Sequence, residues 1–409
     1  MTHLDERAAA DLLGPLATEP PGPSLVDVPE TMRAGARRRR NRRLAAGAGA
    51  FAAVLLAGSA LVLLPHPVQR KATVPAVSRS AAPVPRLPSD CAVTRLPTGD
   101  VAKAVVHAVD PSGRYVTGRT YPEGRAFGTY PVTVWRDGKL LTTIDFPGSD
   151  QSLDAVNSSG DAVGSSFTDE VQFPYVWHDG KLTRLKGGAG SASAISDAGV
   201  IVGVLGSRPA RWASWDAEPS LLPLPPGTTQ GAAVDVDEDG TVLGMAGPPI
   251  GPEANDTAYV WLPGGDVRKL PLPPEAGFFH AVGLRNGLVV GSAGFEDDDA
   301  LTFAGYQYDI ASNRMEELPA AAQSPAAVAA NGWIVTDGGG RSPAVVVGGD
   351  TIGLEHYRPS AGGLTFGEGK PGDEYQIRGI SDDGRTIAGS FNPAVGLVNE
   401  PLVWRCRLQ

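Results

Sequence analysis

From residue 104 onward, apolar and polar positions recur in one phrase repeated seven times: a short apolar run, a turn ending in Gly, a second apolar run, a variable segment and an x-V-W strand. The anchor glycines are Gly113, Gly160, Gly199, Gly240, Gly287, Gly332 and Gly384. A unit of four short strands cannot bury its own faces, so its copies must stack around a common axis. The pattern predicts an all-β fold, a seven-bladed β-propeller with four-stranded antiparallel blades.

Before the first turn stand V-H-A-V-D-P-S-G, L-D-A-V-N-S-S-G, A-S-A-I-S-D-A-G, A-V-D-V-D-E-D-G and I-R-G-I-S-D-D-G. Each reads as a strand closing in a four-residue turn. Asp110, Asn157, Ser196, Asp237 or Ser381 can bond the backbone two residues on, and Gly takes the positive φ. Asn286-Gly287 and Asn331-Gly332 predict tighter hairpins in units five and six. After the turn come short β-branched runs such as V-I-V-G and L-V-V-G. Third strands include P-V-T-V-W, P-Y-V-W and P-L-V-W, and Pro at a strand's first residue removes no ladder bond. Trp135, Trp177, Trp212, Trp261 and Trp404 occupy one repeat position, which points to packing between blades.

The last unit ends P-L-V-W-R-C-R-L-Q without a fourth strand, while an orphan C-A-V-T-R-L-P lies upstream of the first unit. Aligning its T-R-L with Thr183-Arg184-Leu185 brings Cys91 and Cys406 to the place where other blades have a turn. The N-terminal segment is therefore expected to complete blade seven, with a Cys91–Cys406 disulfide in place of the missing turn. Such a bond needs an oxidising compartment.

Residues 44–64 hold 21 positions without a charge, enough for a helix of about 30 Å, the thickness of a bilayer core. Arg33, Arg37 to Arg40, Arg42 and Arg43 crowd its N-terminal flank. By the positive-inside rule, residues 1–43 form a cytoplasmic tail and the rest is exported across a single-pass membrane anchor. A cleaved signal peptide is the competing reading; its apolar region is usually shorter, about 7 to 15 residues. The tail has few apolar residues and is expected to be disordered. Pro65, Pro67, Pro75, Pro83, Pro85 and Pro88 make residues 65–89 a semi-rigid linker to the propeller at 90–409.

With 11 Lys and Arg against 6 Asp and Glu in the first 80 residues, the remainder carries 24 against 39. That acidic balance argues against a nucleic-acid partner.

The phrase resembles the HAF family of extracellular repeats, in which a D-x-x-G-x-x-V-G hairpin precedes an aromatic x-W-x-D-G segment. Unit two, D-A-V-N-S-S-G-D-A-V-G with P-Y-V-W-H-D-G-K, carries it best, and the resemblance covers residues 104–409. It implies a propeller of WD40-like architecture displayed outside a bacterial cell, and it implies no activity and no catalytic residues. The tail, Arg cluster and apolar segment also look like the membrane anchors of bacterial regulators encoded beside sigma factors, without their zinc motif.

No Gly-x-Ser-x-Gly, His-Glu-x-x-His, phosphate loop or paired-cysteine zinc motif occurs, and no cofactor is expected. His107 and His280 precede their hairpins at similar points and are read as packing residues. Asp235, Asp237, Asp239 and Gly240 spell D-x-D-x-D-G, which resembles the opening of a calcium loop, yet Leu243 and Ala246 stand where later oxygen ligands belong. A capped turn is the better account. Asp235 departs from its own column, where Ala108, Ala155, Ala194 and Gly379 stand near the crowded axis. The long second-to-third connections, near 119–130, 165–173, 245–257, 292–303 and 390–400, are expected to form a binding face with Phe167, Phe173, Phe295 and Phe391 as its aromatic residues. The function expected is non-catalytic binding or scaffolding of an extracellular protein or cell-wall glycan, with the oligomeric state open. The alternatives are an enzyme acting on wall polysaccharide and a regulator signalling through the tail.

Overall fold

In the computed structural model the described residues are 87–247, 257–297, 300–337, 343–357, 375–392 and 399–408. All lie within one compact unit, Arg79–Gln409. The expected tail, spanning segment and nearly all of the linker lie outside them. Among the described residues no helix is long and apolar enough to cross a membrane.

Seven four-stranded antiparallel sheets form the blades of a β-propeller. Six are sequential, spanning 104–144, 149–184, 190–221, 230–269, 278–317 and 325–353. The seventh is composite: strands Tyr375–Ile380, Thr386–Phe391 and Glu400–Leu408 take Pro88–Arg95 as their outermost member. Cys91 stands directly opposite Cys406 in that pairing, and the two form a disulfide. The closure expected from the orphan segment is borne out.

Burial between blades holds the ring together. Among the described residues seven hydrophobic clusters occur, one at each blade-to-blade interface. Trp135, Trp212, Trp261 and Trp404 are buried within them. Each indole N–H finds an acceptor where the preceding blade hands over the chain: the carbonyls of Pro97 (2.6 Å), Lys186 (2.9 Å), Pro223 (2.8 Å) and Glu355 (2.8 Å). A buried indole left without a partner would incur a desolvation cost of about 1–3 kcal/mol. One repeat position thus supplies both apolar area and a polar latch.

The first turns follow the Asx logic in part. Asp110 Oδ2 accepts from the Ser112 N–H (2.9 Å) and Asn157 Oδ1 from that of Ser159 (3.1 Å), two residues on. Ser196 and Ser381 instead accept from Val200 and Thr386, beyond the turn. Asn286 and Gly287 both have positive φ, 50° and 74°, as a two-residue hairpin requires. Asn331-Gly332 differs from expectation. Only Gly332 has positive φ (83°), and its N–H bonds the Ala329 carbonyl (2.9 Å), so this is a four-residue turn like the others.

Two of the expected loops are strands. Residues 165–173 lie in the hairpin Ala162–Thr168 with Val171–His178, and 292–297 and 300–303 in the paired strands Leu288–Asp297 and Ala300–Asp309. The β-forming residues there continue the ladder, and Asp169 and Glu170 turn it with φ of 48° and 64°. Phe167, Phe173, Phe295 and Phe391 therefore sit in strands rather than loops. Residues 248–256 and 393–398, within the other expected loops, lie outside the described set.

Closing a loop of 315 residues stabilises by at most about 5 kcal/mol in the chain-entropy account. The double variant Cys91→Ser/Cys406→Ser should unfold at lower denaturant than the oxidised protein, and reductant should shift only the latter. Equal midpoints with and without reductant would show the staple to be energetically idle.

Candidate functional site: the central channel

The innermost strand of every blade carries a β-bulge at one repeat position, as register shifts between Val106/Ala108, Leu153/Ala155, Ala192/Ala194, Ala233/Asp235, Ala281/Gly283, Pro325/Ala327 and Ile377/Gly379 show. A bulge places two successive residues against one partner and re-aims their side chains. In six blades both line a cavity of about 220 Å³ around the axis, and in blade one Ala108 does while His107 lies outside the lining. The residue after each bulge is Ala or Gly in six blades, because seven strands converge there. A Cβ on Gly379, for example, would lie 2.8 Å from Val109 Cγ1.

Asp235 is the exception, and its carboxylate links two blades. Oδ2 accepts the Leu284 N–H of blade five (2.7 Å) and Oδ1 the adjacent Val236 N–H (2.8 Å). Burial pushes its carboxyl up to about 6, more than those two bonds and Arg285 pull it down.

At the turn end, side chains lace the blades together. Ser158 N–H and Oγ–H donate to Asp197 (2.7 and 2.9 Å), and Asp197 N–H donates to Glu238 (3.0 Å). Arg285 then donates to Glu238 (2.7 Å) and, through Nε and Nη2, to both carboxylate oxygens of Asp382 (2.8 and 2.6 Å). That fork joins blades four, five and seven across the channel end. Burial works against the guanidinium's charge, but Asp382 and Glu238 outweigh it and hold its pKa above the ordinary value.

The opposite end has different chemistry. Asp154 and Arg378, the bulged residues of blades two and seven, line the channel. His107, the equivalent residue of blade one, has Nδ1 3.9 Å from Asp154 Oδ1. Burial, then Arg119 and Arg378, push the imidazole down to about 3, so it is neutral at physiological pH. Asp154 keeps 43% side-chain exposure because it projects into the channel, yet the enclosing walls raise its carboxyl above the usual range. Arg119 is held by Tyr121 Oη (3.2 and 3.0 Å) and the Gln151 carbonyl (3.3 Å), and the Lys103 ammonium lies 4.6 Å from the Tyr121 ring centre.

Other sequence candidates do not converge here. Asp237 accepts from the Asn286 and Gly287 N–H groups (3.0 and 2.7 Å), and Asp239 from that of Thr241 (2.8 Å). With Asp235 engaged at Leu284, the D-x-D-x-D-G run is a set of separate backbone caps. Among the described residues no group of three His, Cys, Asp or Glu is arranged to hold a metal. Phe173 lies under the Arg184 guanidinium (3.3 Å), Phe295 packs near Tyr306 and Phe391 is buried against Tyr375, while Phe167 is half-buried. His280 is exposed rather than packed. Sequence reasoning missed Asp154, Arg378 and Arg285; for the first two the signal available was the column just before the small residue, where charged side chains interrupt apolar strands, while Arg285 stands two residues beyond its small residue Gly283.

Asp235 binds its proton more tightly folded than unfolded, so its contribution is present below about pH 4 and lost as pH rises towards 6. Unfolding free energy should fall across that window by on the order of 2 kcal/mol, and Asp235→Asn should flatten the decline in pH-dependent denaturation. An unchanged slope would remove Asp235 as its source. Arg285→Met should destabilise by about 1–3 kcal/mol, non-additively with Asp382→Asn in a double-mutant cycle.

No family model and no curated protein matches the sequence. Among solved structures, the chain is similar to the β-propeller domain of the trilobed protease of Pyrococcus furiosus, with a TM-score of 0.50, 11% identity and coverage of 75% of this chain and 97% of that one. It is also similar to Kuenenia stuttgartiensis hydrazine synthase (TM-score 0.48, 11% identity, 76% and 98% covered) and to an oligogalacturonate lyase of Vibrio parahaemolyticus (0.47, 12%, 78% and 95%). At these identities the likeness is one of fold: a β-propeller, an architecture compatible with binding or with catalysis.

Proposed function

We propose that the chain is a membrane-tethered propeller, displayed outside the cell, that binds or scaffolds a protein or cell-envelope polymer without catalysis. The observation that carries this reading is the unlike chemistry of the two faces. The turn face is knitted by side-chain bonds between blades. The opposite face, where the second strands give way to the third, exposes Phe127 (91%), Val171, Leu301 (50%) and Phe303 (46%). Exposed large apolar side chains, here on blades one, two and five of the same face, suit an interaction surface. The uncharged segment 44–64 with its Arg flank supports the tether, and the disulfide supports an oxidising location. The repeat phrase supports kinship with HAF-type extracellular proteins.

A second reading, an enzyme acting on wall polysaccharide, is favoured by one observation. Two carboxyls in the same channel, Asp154 and Asp235, are both raised above their ordinary values.

Incubating the full chain in detergent with cell-envelope preparations should retain a partner and release no reducing ends. Phe127→Ser with Phe303→Ser should weaken that retention at least tenfold, and Leu141→Ser on the outer edge of blade one should not. Full retention by the double variant would move the binding face elsewhere. Reducing ends released by the native chain and lost in Asp154→Asn would establish the enzyme.

A further inference from the structure

We propose that the channel mouth opposite the turns is a binding site for one small hydroxylated carboxylate, the size of a single sugar acid; this deepens the binding reading above and rests on it. The argument begins with charge. Arg378 lines the channel, and among the described residues its one hydrogen bond goes to Gln376 Oε1 (3.1 Å), with no carboxylate paired to it. Arg119 is fixed by a phenol and a carbonyl, both neutral. Lys103 adds a third cation nearby over Tyr121. Guanidiniums positioned by neutral partners keep their capacity to fork onto an incoming carboxylate, and their rotamers are already ordered.

Asp154 defines what else the ligand carries. It lines the cavity with 43% of its side chain exposed, and it accepts from Ser152 Oγ (2.8 Å) through Oδ2, which leaves Oδ1 to the channel. His107 behind it is neutral and its Nδ1 is enclosed, so it adds no charge. A carboxylate acceptor that projects into the channel suits a hydroxyl group, which donates to it. Asp154 would also repel a doubly charged phosphate, which a monocarboxylate with hydroxyl groups avoids. Size then limits the ligand. The cavity that runs from Asp154 and Arg378 to Arg285 and Asp382 holds about 220 Å³, smaller than the roughly 300–1,000 Å³ of drug-sized sites, and it suits one ring rather than an oligomer within the channel. Entry comes from the loop face, because the Arg285 fork spans the other end. The region beyond residue 80 is acidic, with 24 basic residues against 39 acidic, and Arg378 with Arg119 behind it concentrates positive charge beside Asp154.

The test is calorimetric titration of the oxidised full chain in detergent with D-glucuronate, D-glucose, acetate and inorganic phosphate. Glucuronate should bind at least tenfold tighter than the other three. Arg378→Ala should weaken glucuronate at least tenfold, and Arg385→Ala, exposed beside Asp383, should leave it unchanged. If Arg378→Ala does not fold by circular dichroism, Asp154→Asn supplies the readout: weaker glucuronate but tighter acetate and phosphate. Glucose or phosphate binding as tightly as glucuronate, or native affinity in Arg378→Ala, overturns the site. Comparing free glucuronate with a glucuronate-terminated oligosaccharide shows whether the acid arrives free or as a chain end, and tighter binding of either supports the site. Absent glucuronate binding with envelope material still retained removes this site and leaves the broader binding reading; the reverse pattern leaves the site and removes the macromolecular partner.

Discussion

Each blade has two faces to cover and no element of its own with which to cover them, so the protein depends on burial between neighbouring sheets. The clusters at the interfaces show how that is met. Every blade contributes one face forward and one face back, and the fully buried Trp135, Trp212 and Trp404 are among the largest side chains involved. A stack built this way has two exposed ends unless it curls into a ring. The ring is possible because Pro88–Arg95 comes back to sit beside Glu400–Leu408, leaving no blade without two neighbours. The indole bonds to the preceding blade make the same contact directional, which sets the order of packing as well as its extent.

Much of this was legible in the sequence because the ring is built from one repeated local solution. Gly after a short polar turn, β-branched runs and a fixed Trp column each have a local physical cause. The two cysteines, read against the truncated last unit, located the seam. Legibility failed where local chemistry permits two outcomes. Asn331-Gly332 has the composition of a two-residue hairpin but folds as a four-residue turn, with Ala329 in the place that Asp110 holds in blade one. Residues 165–173 have the spacing of a loop but the composition of strands, and pairing took them.

The channel was less legible, for a geometric reason. Alternation along a strand assigns side chains to faces only while the register is unbroken. The bulge in every innermost strand breaks it at the position that matters, so Asp154 and Arg378 are carried to the axis by a feature that composition does not announce. Asp235 was found because it interrupts a column of small residues. Arg285 was not, since its partner Asp382 is 97 residues away and two blades on.

The composite blade also ties closure of the ring to its two most distant strands. Pro88–Arg95 leaves the ribosome first among the propeller's strands and Glu400–Leu408 last, so the wheel stays open until every strand has emerged. Pairing at such sequence separation is slow to form. Until it forms, the seventh sheet presents an unsatisfied edge, a ready template for pairing with another chain. The seam is thus where a nascent ring is most exposed to wrong partners.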